Sequence, residues 1–86
     1  MYQVVYTAKA LKSLEKLDKT QARLIISWIE KNLIDCSNPR FIGKHIKGDL
    51  ADWRYRVGSY RLLCNIFDET ITIEVINIGH RKDIYK

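Results

Sequence analysis

Residues 53–67, WRYRVGSYRLLCNIF, constrain the fold more than any other stretch, because two alternating runs are separated only by Gly58 and Ser59. A glycine at the first central position suits a type II′ turn, which joins antiparallel strands with the natural twist. A two-residue loop then fixes the register. Val57 faces Tyr60, Arg56 faces Arg61, Tyr55 faces Leu62 and Arg54 faces Leu63. Side chains alternate across a sheet. Tyr55, Val57, Tyr60, Leu62, Cys64 and Ile66 therefore share one apolar face, and Arg54, Arg56 and Arg61 share the other. Like charges directly opposite each other cost stability. A chain that accepts that cost presents the three arginines to something anionic, and relief of the repulsion predicts that removing Arg61 leaves the domain at least as stable.

Asp68-Glu69 reads as a second tight turn leading into residues 70–78, TITIEVINI. On that register Ile71, Ile73 and Val75 join the apolar face, and Thr72, Glu74, Ile76 and Ile78 join the arginine face. Glu74 falls in the row of Leu63 and Arg54, and Ile76 in the row of Arg56 and Arg61. The segment from Gly79 onward, GHRKDIYK, is then delivered to the sheet end where the arginine pair sits.

Upstream, Tyr2 to Tyr6 form a short β-type run. Thr7 caps a helix beginning at Ala8, with Leu11, Leu14 and Leu17 along one side. Asp18, followed three residues later by Gln21, opens a second helix from Lys19 to about Ile34, whose apolar stripe is Ala22, Ile25/Ile26, Ile29 and Leu33. Leu24 and Trp28 lie off its centre. Two helices joined so tightly predict an antiparallel hairpin on the sheet. Residues 35–50 hold the only proline and two of the four glycines and read as a connection, with Arg40 in solvent. The order β-α-α-β-β-β predicts one α+β domain over residues 1–86, with the pairing of the first strand left open.

Fifteen Lys and Arg against ten Asp and Glu give a net charge of +5, which favours a polyanionic partner, nucleic acid or an acidic protein segment. No apolar run approaches a membrane span and the start lacks a signal-peptide pattern, so a cytoplasmic protein with no membrane partner is expected. Cys36 and Cys64 are isolated and read as reduced thiols, not a disulfide or metal pair. No phosphate loop or metal-ligand spacing is visible, and no metal or cofactor is expected. What remains is a cation cluster: Arg54, Arg56, Arg61 and Arg81, joined by His80, Lys82 and Tyr85, with Lys44 and Lys47 leading into it. Guanidinium groups bind phosphate and stabilise charge that builds in a transition state. Tyrosine offers a face for base stacking. That inventory fits metal-free RNA cleavage using the 2′-hydroxyl of the RNA, and it equally fits holding RNA or an acidic peptide. The structural alternatives are an Arg54–Glu74 surface pair and Tyr85 as a plug over the sheet.

The segment 53–63 (WRYRVGSYRLL), the strand after it, GHRKDIY at 79–85, ALKxLxKL at 10–17 and Lys47-Gly48 together resemble the RelE family of bacterial toxins from type II toxin–antitoxin modules. The resemblance covers essentially the whole chain. It implies a microbial ribonuclease-like fold and cleavage of mRNA in the ribosomal A site. It also implies an acidic antitoxin that wraps and neutralises the toxin, with operator DNA met only through that antitoxin. By the same resemblance, Arg54 and Arg56 match the family's two basic residues on the first hairpin strand. Arg61 matches its transition-state arginine, Arg81 its proposed general acid, and Tyr85 the tyrosine that stacks on the substrate base. Arginine is a poor proton acceptor, so His80, a residue type that changes charge near neutral pH, is the expected proton-transfer group nearby. The related ParE branch, which inhibits DNA gyrase, and a catalytically inactive antitoxin-binding module are the alternative outcomes.

Overall fold

The hairpin is built on the register its turn dictates. In the computed structural model, which describes residues 1–84, β3 (Trp53–Val57) and β4 (Tyr60–Phe67) pair antiparallel with Val57 opposite Tyr60 and Arg56 opposite Arg61. Gly58 has φ +60 while Ser59 is outside the left-handed region, the combination of a type II′ turn. The remaining elements are β1 (Gln3–Tyr6), α1 (Ala8–Lys16), α2 (Lys19–Asn32), β2 (Lys44–His45) and β5 (Thr72–His80). They give a five-stranded sheet in the order β1-β5-β4-β3-β2, antiparallel except for the parallel pair β1–β5. This is the expected α+β class. The pairing of the first strand, open on sequence grounds, is with β5.

Both predicted helix starts are present. Thr7 Oγ1 accepts from Ala10 N at 3.1 Å and Asp18 Oδ1 from Gln21 N at 2.9 Å. Ile25, Ile29 and Leu33 are fully buried against Tyr55, Leu62, Cys64, Ile73 and Val75, whereas Ile26 and Leu24 are exposed. Burial of each large side chain contributes about 1.5–3 kcal/mol. In α1 the buried residue is Ala10, and Leu11 faces solvent. The second helix ends at Asn32, short of Ile34. Both cysteines are free thiols, and burial pushes each thiol's pKa upward, most strongly for Cys64.

The β4–β5 register corrects the sequence reading twice. The turn spans four residues, 68–71, and not Asp68-Glu69 alone, so Ile66 pairs with Ile73 and Glu74 with Asn65. Ile71 therefore lies in the turn, exposed and at φ 50, and does not reach the core. A β-bulge then inserts one extra residue, Ile76, so that Cys64 pairs with Val75 but Leu63 with Asn77. A one-residue shift exchanges the two faces. Ile78 moves to the helix side and is buried, and Asn77 and Gly79, in place of Glu74 and Ile76, enter the arginine rows. Thr7 secures the bulge, donating from Oγ1 to the Ile76 carbonyl at 2.7 Å and from its amide to Val75 at 3.0 Å.

The connection at 35–50 is also more ordered than its composition implied. It contains β2, which no periodicity announced, and Arg40 is not free in solvent. Its guanidinium donates to Asp68 at 2.9 Å, and Tyr2 donates to the same carboxylate at 2.6 Å. Arg40 first, then Tyr2, holds the Asp68 carboxyl below the usual carboxylate range. The Tyr55 hydroxyl, kept protonated by burial, donates to the Pro39 carbonyl, and Trp53 Nε1 donates to Ile42 O at 2.9 Å. Gly43 then passes against β3 at φ +84, where a Cβ would lie 2.5 Å from the Arg54 carbonyl.

Gly58 has a positive φ too, but open space around it. Gly58→Ala is expected to cost about 1–2 kcal/mol from backbone strain alone. Gly43→Ala carries the same strain plus the clash with β3 backbone and is expected to cost clearly more. Urea melts of both variants check the order, and equal losses would contradict the close approach at Gly43.

Candidate functional site

Register and twist set two rows of side chains on the sheet face opposite the core. Lys44, Arg54, Leu63 and Asn77 form one row, and Arg56, Arg61 and Gly79 the next. The sheet thus brings together four of the expected cations, Lys44, Arg54, Arg56 and Arg61, from three adjacent strands. Lys44 and Arg56 are exposed and Arg54 is half-buried. With Ile42, Gly43 and Tyr55, and with Trp28 and Asn32 of α2, they line a depression of about 310 Å³ where the edge of β3 meets that helix.

Arg61 is placed differently from the sequence expectation. Only 8% of it is exposed, and its Nη1 donates to the carbonyls of Gly58 at 3.2 Å and Tyr60 at 3.1 Å. The guanidinium is folded onto the turn, while Arg56 opposite reaches into solvent, where its charge is screened. Repulsion within the pair is therefore smaller than face-to-face register implied, and Arg61 contributes to hairpin stability. That reverses the expectation that its removal is neutral or stabilising.

A groove of about 340 Å³ runs along the same face. Leu63, Ile76 and Asn77 line it, together with Lys9 of α1, Lys47 and Leu50 of the loop before β3, and Ile84. Asn65 holds that loop, donating from Nδ2 to Leu50 O at 2.8 Å and accepting from Asp52 N at 3.0 Å. Asn77 Oδ1 accepts from Ser13 Oγ at 3.0 Å. Lys47, expected from the sequence, belongs to this groove. Lys9, Asn65 and Asn77 were missed. The available signal was a polar residue inside an apolar run, Asn65 in LLCNIF and Asn77 in VINI, and the face of Asn77 could be read only with the bulge known.

The segment after β5 returns to the hairpin. Arg81 N donates to Ser59 O at 2.8 Å, which places exposed Arg81 and Lys82 at the Arg56–Arg61 end of the sheet. His80 is at that end too, but it pairs with Tyr60, whose side chain belongs to the face that carries Val57 and Leu62. Its ring meets Tyr60 edge-on, 5.7 Å between centroids. The expected neighbourhood of His80 and the arginines is thus one of sheet end and not of sheet face. Tyr85 lies outside the described residues.

The chain is similar in sequence and in fold to known proteins along nearly its whole length. The family model described as ParE toxin of type II toxin-antitoxin system, parDE, matches residues 4–85. Toxin RelG of Mycobacterium tuberculosis is 36% identical over 87 residues, covering 99% of this chain and 97% of that one. Toxin RelE of the same organism is 30% identical over 86 residues, covering 99% of this chain and 87% of its own length. The toxin–antitoxin complex RelBE2 of M. tuberculosis contains a chain that superposes with a TM-score of 0.82 at 30% identity, covering 95% of this chain and 93% of that one. A match along nearly the whole length, in sequence and in fold, places the chain in the RelE/ParE family of type II toxin–antitoxin toxins.

Proposed function

We propose that this toxin is an endoribonuclease that cleaves mRNA in the ribosomal A site and so blocks translation in the cytoplasm. The observation that carries the proposal is the set of Lys44, Arg54 and Arg56 on one sheet face, with Arg61 on the same face folded against its turn and the Arg81 backbone fastened at that end. In this reading the RNA 2′-hydroxyl attacks the adjacent phosphorus. The O2′–P bond forms as the 2′-hydroxyl gives its proton to water, the bond to the 5′-oxygen breaks, and that oxygen takes up a proton from Arg81, which regains one from water. Arg61 stabilises charge that grows on the phosphate, Arg81 supplies the leaving-group proton, and Tyr85 stacks on a base. Arg54, Arg56, Lys44, Lys47 and Lys82 hold the RNA backbone. No cofactor is required for that chemistry. The M. tuberculosis RelBE2 structure is a complex with an antitoxin. By analogy the partner here is an acidic antitoxin that covers the basic face and alone meets operator DNA.

The matching family model is named for ParE, so inhibition of DNA gyrase is the second reading. The two separate in one experiment. Expression of the toxin is expected to arrest growth, to produce mRNA 3′ ends at ribosomal A sites, and to be relieved by the cognate antitoxin. Arrest with double-strand DNA breaks and intact mRNA would establish gyrase inhibition instead.

Stacking by Tyr85 predicts that Tyr85→Ala slows cleavage more than Tyr85→Phe, since base–aromatic stacking is worth about 1–3 kcal/mol. Equal loss in the two variants would assign the role to the hydroxyl.

Arg61→Ala is expected to lower stability by about 0.5–1.5 kcal/mol, because the Gly58 and Tyr60 carbonyls lose the guanidinium and water at the exposed turn replaces it. It is also expected to slow single-turnover cleavage on programmed ribosomes by about 10²–10³-fold, while ribosome binding changes little. Rates are compared below the melting transition of the variant. Cleavage at the wild-type rate by folded variant would remove Arg61 from the chemistry.

A further inference from the structure

The four amides that follow β5 are all bonded, and three of their acceptors belong to one residue. Arg81 N donates to Ser59 O at 2.8 Å. Lys82 N donates to His80 Nδ1 at 3.2 Å. Asp83 N and Ile84 N both donate to His80 O, at 2.8 and 3.0 Å. A side-chain acceptor two residues before an amide is the geometry of an Asx-type turn, here supplied by imidazole. The turn folds Ile84 against Gly79, whose Cβ, had it one, would lie 2.9 Å from Ile84 Cδ1. Gly79 is the cross-strand partner of Arg61. His80 thus ties the tail to the face that carries Arg61, although its own ring lies against Tyr60 on the other face.

The Lys82 amide always carries its hydrogen, so the Nδ1 it bonds must offer a lone pair. The proton of the neutral ring is then on Nε2, and the bond to Nδ1 fixes the tautomer. In that state the free edge of the ring is a donor and has no lone pair with which to take a proton from a 2′-hydroxyl. Protonation at Nδ1 would require the turn to open.

We propose that His80 is a positioning residue, whose Nδ1 caps the tail turn and seats Arg81 and Ile84 beside Arg61, and that it is not the proton acceptor of the cleavage reaction. Its effect on cleavage rests on the nuclease reading above, whereas its capping role does not.

Asparagine separates the two roles, because its side-chain oxygen can accept the Lys82 amide in the same turn but cannot titrate. His80→Asn is expected to cleave within about threefold of wild type, with an unchanged pH profile, since an Asx turn replaces the imidazole cap. His80→Ala loses the cap, and a tail displaced by an ångström is expected to slow cleavage on the order of 10²-fold. Loss of cleavage in His80→Asn equal to that in His80→Ala would overturn the proposal.

The cap itself is read on the free protein. At about pH 8.5, where an ordinary imidazole is neutral, long-range ¹H–¹⁵N spectra are expected to show the Nε2–H tautomer. Amide exchange at Lys82 and Ile84 is expected to accelerate in His80→Ala and not in His80→Asn. An Nδ1–H tautomer, or unchanged exchange in His80→Ala, would refute the cap even if the protein cleaves RNA. Wild-type protein that cleaves no RNA, yet shows the Nε2–H tautomer and the expected exchange, would refute the nuclease reading and leave the cap established.

Discussion

Three consecutive carbonyls at the tip of the β3–β4 hairpin hold the candidate site together. Those of Gly58 and Tyr60 accept from the Arg61 guanidinium, and that of Ser59 accepts from the Arg81 amide. A hairpin tip usually spends its carbonyls on water. Here they bind one cation of the site directly and anchor the backbone of another. The two-residue turn therefore does more than fix register. It sets Arg61 against its own strand end, leaves Arg56 to extend outward, and provides the dock for the segment that follows β5. Disturbance of the turn would move all three together.

The middle of β5 depends on a different contact. Thr7 caps α1 with its hydroxyl oxygen and uses the hydroxyl hydrogen for the Ile76 carbonyl, so the start of the first helix and the bulge of β5 are one structure. The bulge turns the second half of β5 over. Before it, Ile73 and Val75 face the helices. After it, Ile78 does, and Asn77 and Gly79 join the cationic face. Without that extra residue the groove beside Lys47 would be lined by a different set of side chains, and Gly79 would not lie opposite Arg61.

The cationic face is also completed by a segment with no regular pattern. Between Pro39 and Lys44 the chain is fastened by Tyr55, Asp68 and Trp53, and Gly43 makes the approach close enough for Lys44 to pair with Arg54. The exposed ion pair of this set, Arg40–Asp68, and the exposed Trp53–Ile42 hydrogen bond contribute little alone. Together with the buried tyrosine bond they place one more charge in the row.

Local information was enough for the parts whose geometry is set by near neighbours. Gly58-Ser59 specified the hairpin register, Thr7 and Asp18 the two helix starts, and the stripe at Ile25, Ile29 and Leu33 the buried side of α2. It also placed Arg54, Arg56 and Arg61 on one face, because alternation follows directly from register. What tertiary structure decided were the features that depend on distant partners. The length of the 68–71 turn, the bulge at Ile76, the parallel β1–β5 pair and strand β2 are all stabilised by bonds to residues far away in sequence, and none leaves a periodic trace. The same holds for the direction of a long side chain. Register could state that Arg61 faces Arg56, but only the folded turn, with carbonyls 58 and 60 within hydrogen-bonding distance, decided that its guanidinium would bend back and be buried.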